Sequence, residues 1–547
     1  MKELILKYYD FFILIALFIS LYIALKIINY FRDRSYEKYI RSRASIGRSE
    51  KLDIKRDYNM VMMAEDLLNF DFKVDSTTFY DLNLLDYLKK IDYSMSTMGA
   101  SSLYVKTREA RPILKDLDTL RYIRENKDET TDIMAKFLSF GEIKNKELFT
   151  LLKNGIEAKF SFEPYVKFYP LIAALVLGLF FVSKVSFLMG ITALLAINAI
   201  ITKDISRKTD GASKMLTMLG KFSKLGTDVL STDLELESIE RLREHKTLLK
   251  KINRKTGSFY NKVGLDTDIF YELLSTITLH ESMLFLKIKD LVNENREELS
   301  KIYFILGDID NEIAISNLHY NLDLVCKAEV LENVGEISIE GVDLHNPIIY
   351  LKDQEESVGN TFKFTKDILL TGSNASGKST FLRTIGINHI MAKTLGFVVA
   401  KEFRTVDRDI FTSIDIKDSI EEKTSYFMAE AKTIKKMIDN PGNIYLLDEV
   451  FKGTNTIDRI SAASATLEYL SKSGFVIAAT HDIELTTILE RDFCNYHFEE
   501  MVTKEEIKFD YKLKEGRAAT RNAIRILEMY DYPEIITKTA NKRSEEI

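Results

Sequence analysis

The stretch Gly372-Ser373-Asn374-Ala375-Ser376-Gly377-Lys378-Ser379-Thr380 carries the plainest chemistry in the chain. Two glycines five apart, followed at once by Lys and Ser, let backbone N–H groups close around phosphate oxygens. A helix starting there adds the favourable end of its dipole. In this pattern Lys378 reaches the β- and γ-phosphates, and the Ser379 hydroxyl takes one ligand position on Mg²⁺. The ligand is therefore read as ATP with Mg²⁺. Seventy residues beyond Lys378, the apolar run Ile444–Leu447 ends in Asp448-Glu449. Asp448 is the candidate to hold Mg²⁺ through its waters, and Glu449 the candidate to orient and deprotonate an attacking water. A third apolar run, 475–480, ends in His481, whose imidazole is placed to contact a γ-phosphate. Lys378, Glu449 and His481 form the catalytic set.

Such side chains need a scaffold that delivers several strand ends to one edge. The apolar residues Ile368–Leu370 lie directly ahead of the loop. From about Glu336 short apolar runs alternate with helical patterns, the layout of a parallel α/β sheet. The expected fold is an α/β P-loop NTPase domain over 336–547, C-terminal to a mostly helical core region with transmembrane helices. Apolar residues at spacings of three and four make 57–163 and 204–335 helical, as in 214–225 and 271–292. The short interval between Lys378 and Asp448 excludes a long coiled coil between the two motifs. No LSGGQ-like signature stands in it, which argues against an ordinary transporter ATPase.

Two apolar blocks stand apart. Phe11 to Phe31 is a run of 21 residues with Lys26 its only charge, enough for one helix across ~30 Å of hydrocarbon. This makes 1–31 an N-terminal transmembrane helix and 32–56 a basic juxtamembrane segment. Between Lys26 and Arg56 ten Lys/Arg stand against four Asp/Glu, which puts that flank in the cytoplasm. The second block, Pro170–Ile201, is 32 residues with Lys184 its single charge. One helix of that length would reach ~48 Å, so a break at Ser183-Lys184 predicts a transmembrane hairpin over 164–203. Two crossings return the NTPase domain to the cytoplasm. The expectation is a multi-pass protein of the cell membrane, with the lipid bilayer as a partner. Across 547 residues, 29% are charged and the net charge is −6, which excludes a transporter built mainly of membrane helices. Two cysteines exclude a disulfide framework.

Read in order, TGSNASGKSTFLRTIGIN, TSYFMAEA (424–431), LLDEVFKGTNTID and ATHDIELT (479–486) resemble the motifs of the MutS mismatch-repair ATPase family. The likeness continues into IKFDYKLKEG (507–516) and covers roughly 336–540. More weakly, 81–104 and 303–316 resemble the two halves of that family's helical core. The resemblance implies a homodimeric ATPase with composite nucleotide sites, acting on double-stranded DNA. It gives Ser425 a contact to the γ-phosphate held by the partner subunit, and puts Asn455 and Asp458 in the segment facing the partner. It also brings Asn360, in SVGN, near the nucleotide base. Some features depart from the family. Asn346 stands where histidine is common, and only some 70 residues precede the core-like segment, too few for a mismatch-reading module. Phe270-Tyr271-Glu272 matches a mismatch wedge in spelling but not in place. The second apolar block falls near where a DNA clamp would be inserted. The basic run 241–255 is the candidate DNA contact. The alternative is a nucleotide-driven motor or switch acting on a membrane or protein partner without DNA.

Overall fold

The computed structural model describes residues 34–45, 51–156, 162–208, 212–260, 275–332, 337–373, 376–415, 426–502, 507–517 and 532–546, with scattered positions before 34 and at 47, 527 and 530. The chain forms two compact units. One comprises Met1–Asn69, Tyr93–Ser102 and Leu120–Asn317; the other comprises Phe70–Asp92, Leu103–Thr119 and Leu318–Ile547. This division cuts across the linear ranges read from the sequence, because two short segments before residue 120 join the C-terminal unit.

The first unit is helical. Its elements include the start of α1 (Thr97–Glu109), α2 (Glu163–Val182), α3 (Lys184–Lys208), α4 (Ala212–Val229), α5 (Lys246–Tyr260) and most of α6 (Arg296–Tyr320). Phe137, Leu151, Phe222, Phe285 and Tyr303 fill its core. Glycines let α1 and α6 meet at backbone distance: a Cβ on Gly307 would lie 2.4 Å from the Met98 carbonyl, and one on Gly99 2.5 Å from Asp310 Oδ2. Asp310 accepts from the Met95 and Ser96 amides at 2.9 Å and from the Ser96 hydroxyl at 2.6 Å, tying down the entry to α1. Tyr303 donates to Ser101 Oγ at 3.0 Å. The segments 81–104 and 303–316, paired by resemblance, thus touch here through 95–102 and 303–310.

The α2–α3 hairpin breaks where the sequence predicts. Ser183 is extended, with φ −158°, and α3 starts at Lys184. Val166, Tyr169, Leu194 and Ile201 anchor its base in the core. There the fully buried Asn198 accepts from Tyr165 at 3.2 Å and donates to Tyr169 Oη at 3.1 Å and the Ile277 carbonyl at 2.9 Å. Beyond the base Leu175, Phe181, Leu188 and Met189 face outward, Phe181 with 86% of its surface exposed. Both helices are long and apolar enough to cross a membrane. The first apolar block, 11–31, lies mostly outside the described residues, and Phe270–Glu272 wholly so.

The second unit is built on β1 (Glu329–Leu331), β2 (Ile339–Leu344), β3 (Asn360–Phe364), β4 (Asp367–Thr371), β5 (Glu402–Val406), β6 (Ile410–Ser413), β7 (Ile444–Asp448), β8 (Phe475–Ala479), β9 (Phe493–His497) and β10 (Lys514–Glu515). Its principal helices are α7 (Lys378–Leu395), α8 (Tyr426–Asp439) and α9 (Thr456–Ser473). The main sheet has the order β10-β9-β4-β8-β7-β6 and is parallel except for β9 with β10. Its central strands are buried along nearly their whole length, which is why they read as unbroken apolar runs.

One expectation needs correction. The sequence reads as a parallel α/β sheet, which the main sheet is, but a second, four-stranded sheet lies in the order β1-β5-β2-β3, with β2 antiparallel to both neighbours. Along β3, residues 360, 362 and 364 are buried and 361 and 363 exposed, the alternation of a strand covered on one face. The early segment joins this unit through the helix Ser76–Asp81 and the residue after it. Asp81 accepts from Thr412 Oγ1 and the Ile414 amide, both at 2.8 Å, and its carbonyl accepts from Arg383 Nε at 2.8 Å. Leu82 is fully buried against Gly386, where a Cβ would come within 2.6 Å of it.

Candidate functional site

Parallel pairing of β4, β8 and β7 brings Leu370, Ala479 and Asp448 side by side at one end of the sheet. From β4 the chain turns through Gly372, φ +140°, and enters α7 after Gly377, φ +106°. Side chains rarely tolerate either angle, and a Cβ on Gly372 would also lie 2.7 Å from the Phe498 carbonyl. Asn374 and Ala375 lie outside the described residues. Ser376 Oγ donates to the Ser373 carbonyl at 2.7 Å, and Ser373 Oγ to Glu500 at 2.7 Å. Thr380 is exposed on the first turn of α7.

Lys378 is 2% exposed and folds back on the loop. Its Nζ donates to the Gly372 and Ser373 carbonyls at 2.7 and 2.8 Å and stands 3.4 Å from His481 Nε2. Burial pushes the ammonium down to about 8. Ser379 Oγ donates to Asp448 Oδ2, while Asp448 Oδ1 is buried without a partner. Burial raises the Asp448 carboxyl, with Ser379 and Lys378 pulling the other way. A hydroxyl and an unpaired carboxylate oxygen beside a phosphate loop fit Mg²⁺, which takes one or two protein ligands and completes its shell with phosphates and water.

Glu449 follows β7 with φ +54°, and Phe451 has φ +60°. Left-handed backbone at each non-glycine residue costs on the order of 1–2 kcal/mol, so the turn must be pinned by its surroundings. The Glu449 amide donates to the Ala479 carbonyl at 2.9 Å, and the Phe451 amide to Glu430 Oε1 at 2.5 Å. The Glu449 carboxylate lies between His481 Nε2 at 2.8 Å and Lys452 Nζ at 2.5 Å. Burial alone would raise its carboxyl; Lys452 and His481 outweigh that and hold it below the ordinary range. Burial, then Lys378, lower the His481 imidazole, with Glu449 pulling the other way.

The remaining sequence candidates are placed as follows. Ser425 lies outside the described residues, immediately ahead of α8. Asn360 is engaged at both ends: Oδ1 accepts from the Leu513 amide at 2.7 Å and Nδ2 donates to the Tyr511 carbonyl at 3.1 Å. Asn346 caps the short helix Pro347–Tyr350 through the Ile348 and Ile349 amides. Asn455 caps α9, accepting from the Asp458 amide at 3.0 Å. Two neighbours escaped the sequence reading. Tyr511 sets its ring beside the loop, so that a Cβ on Gly377 would be 3.1 Å from Cδ1, and nothing in the sequence signals this. Glu430 could have been suspected, being an acid between Ala429 and Ala431 on a helix face that must be covered.

Residues 368–547 match the family model MutS domain V. The DNA mismatch repair protein MutS of Aquifex pyrophilus is 31% identical over 290 residues, 50% of this chain and 33% of that protein. Its counterpart in Methanococcoides burtonii is 26% identical over 295 residues, 51% of this chain and 33% of the relative. That of Clostridium novyi is 29% identical over 278 residues, 48% and 30% of the two chains. This chain therefore spans about a third of the length of the curated relatives it matches. The match begins inside β4 and takes in the phosphate loop, both strand-end carboxylates and the histidine, so residues 368–547 are a MutS domain V.

Proposed function

We propose that this chain is a membrane-anchored ATPase that hydrolyses MgATP to ADP and phosphate at sites shared by two copies, with the cycle coupled to double-stranded DNA. One observation carries the hydrolytic part: an ionised Glu449 held between His481 and Lys452, one residue from the Asp448–Ser379 pair. Triphosphate oxygens would replace the loop carbonyls on Lys378, and the first amides of α7 would add their dipoles. Ser379 and Asp448 would hold Mg²⁺, which when bound neutralises phosphate charge. Glu449 orients a water and takes its proton as it attacks, while His481 and Lys452 keep the carboxylate aimed. The contribution is positioning and charge, with no covalent intermediate on the protein.

Anchoring is supported by the outward apolar residues of α2 and α3 beyond their buried base. Those residues equally favour the second reading, a nucleotide-driven motor or switch working on a membrane or protein partner. The DNA reading draws on the relatives' name and on the basic run 241–255. Sharing of sites between copies draws on the family and on the exposed start of α9, where Ile457 is 78% exposed. Steady-state turnover of the detergent-solubilised protein tests the core of the proposal. Glu449→Gln should bind ATP as the wild type does while turning it over at least 100-fold more slowly. Equal turnover would sink the assignment.

A further inference from the structure

We propose that Glu430 is a positioning residue for hydrolysis: from α8 it holds the Glu449–Phe451 turn and so fixes where the Glu449 carboxylate points. This rests on the reading of Glu449 as the hydrolytic carboxylate. The turn carries two left-handed non-glycine residues, and such backbone persists only where neighbours over-determine it. One hold is backbone to backbone, from the Glu449 amide to Ala479 on β8. The other is a side chain, Glu430 Oε1, 21 residues away in sequence, accepting from the Phe451 amide. Three residues earlier on the same helix face, the Phe427 ring lies 5.6 Å from that of Phe451, centroid to centroid. One face of α8 thus grips the turn through a polar and an apolar contact.

Glu430 is 1% exposed, and its second oxygen is buried with no partner. A carboxyl in that setting is costly to a fold, so a purely space-filling role is a poor account of it. The charged groups facing it are Glu449 and Lys452; burial foremost, with a contribution from Glu449, pushes its carboxyl up to about 7. The contact to the turn uses one oxygen, as an acceptor, so a glutamine carbonyl can take its place. The consequence is directional. The helix carrying Glu430 begins directly after Ser425, the residue that the family resemblance gives to the partner's nucleotide. Displacement of α8 would release the turn and misaim Glu449 without touching the phosphate loop.

The test compares Glu430→Ala and Glu430→Gln in the full-length, detergent-solubilised protein. Glu430→Ala should lower kcat for ATP at least tenfold with KM within about threefold, and Glu430→Gln should recover at least half of the wild-type kcat. Trypsin cleavage after Lys452, whose side chain is 59% exposed, should accelerate in the alanine variant and not in the glutamine variant. Wild-type kcat in Glu430→Ala, a glutamine variant as slow as alanine, or unchanged cleavage after Lys452 would each overturn the proposal. Glu449→Gln measured in parallel separates the two readings. If it turns over normally the hydrolytic assignment falls, while cleavage after Lys452 still reports whether Glu430 holds the turn.

Discussion

Lys378 gives up most of its hydration on folding and recovers part of it from two carbonyls. Anionic oxygens should therefore bind it strongly. Lys378→Ala is expected to weaken ATP binding at least 100-fold by titration calorimetry, with the melting temperature little changed. A variant that binds ATP as the wild type does would remove the phosphate-loop reading. A second residue-scale prediction concerns Asp367, at the head of β4, whose Oδ1 accepts from the Val476 amide at 2.6 Å. Burial pushes its carboxyl from the ordinary 3.8 up to about 7. Between those values the folded chain keeps a proton that the unfolded chain has released. Its contribution to stability is full below pH 4 and is lost as the pH rises through 7. Asp367→Asn keeps the acceptor and removes the titration. The variant should gain a few degrees in Tm over the wild type at pH 8 and nothing near pH 4. Equal differences at both pH values would show that the carboxyl does not titrate this way.

Among the described elements, the α2–α3 hairpin carries a long apolar surface at odds with water. Leu175 is 67% exposed although it sits in a helix apolar enough to span a bilayer. In a background with Cys326 and Cys494 changed to serine, Leu175→Cys in sealed vesicles should resist a water-soluble maleimide. Ready labelling there would place the hairpin in water and end the anchoring proposal. The break in this hairpin was legible in the sequence, because a serine and a lysine interrupt 32 residues that otherwise carry no charge. So was the strand–loop–helix passage at Gly372–Ser379, whose residues are contiguous, and so were the strands that end before Glu449 and His481, each marked by a buried apolar run. The second sheet was not. Its strands are three to six residues long, with an entire strand, loop and helix between β3 and β5. Nor was the bond from Glu430 to the Phe451 amide, since which side chain meets a strained turn is decided by the packing of α8 and not by spacing.

For the whole molecule, the proposed nucleotide cycle has to act on a partner, and DNA can be tested first. If the chain works on DNA through phosphate contacts, duplex binding by the solubilised protein should be strongest at low salt and fall steeply, with a linear log–log slope. No binding at low salt, with or without ATP, would leave the membrane or protein partner as the object of the cycle. Long-range organisation was the least readable part of the sequence. The Thr412–Asp81 bond joins residues 331 positions apart, and no local pattern announces it. That same feature constrains how such a protein can be taken apart or recombined. The chain passes between its two units after Asn69, Asp92, Ser102, Thr119 and Asn317. A gene fusion that transplanted only 318–547 would leave behind Asp81 and Leu82, strip the Ile414 amide of its acceptor and uncover the apolar seat at Gly386 and Leu446. The second unit is heritable as a piece only together with two short passages, Phe70–Asp92 and Leu103–Thr119, encoded about 200 residues upstream of its main body. Recombination at the apparent domain edge would therefore yield chains that retain every nucleotide motif and fold poorly.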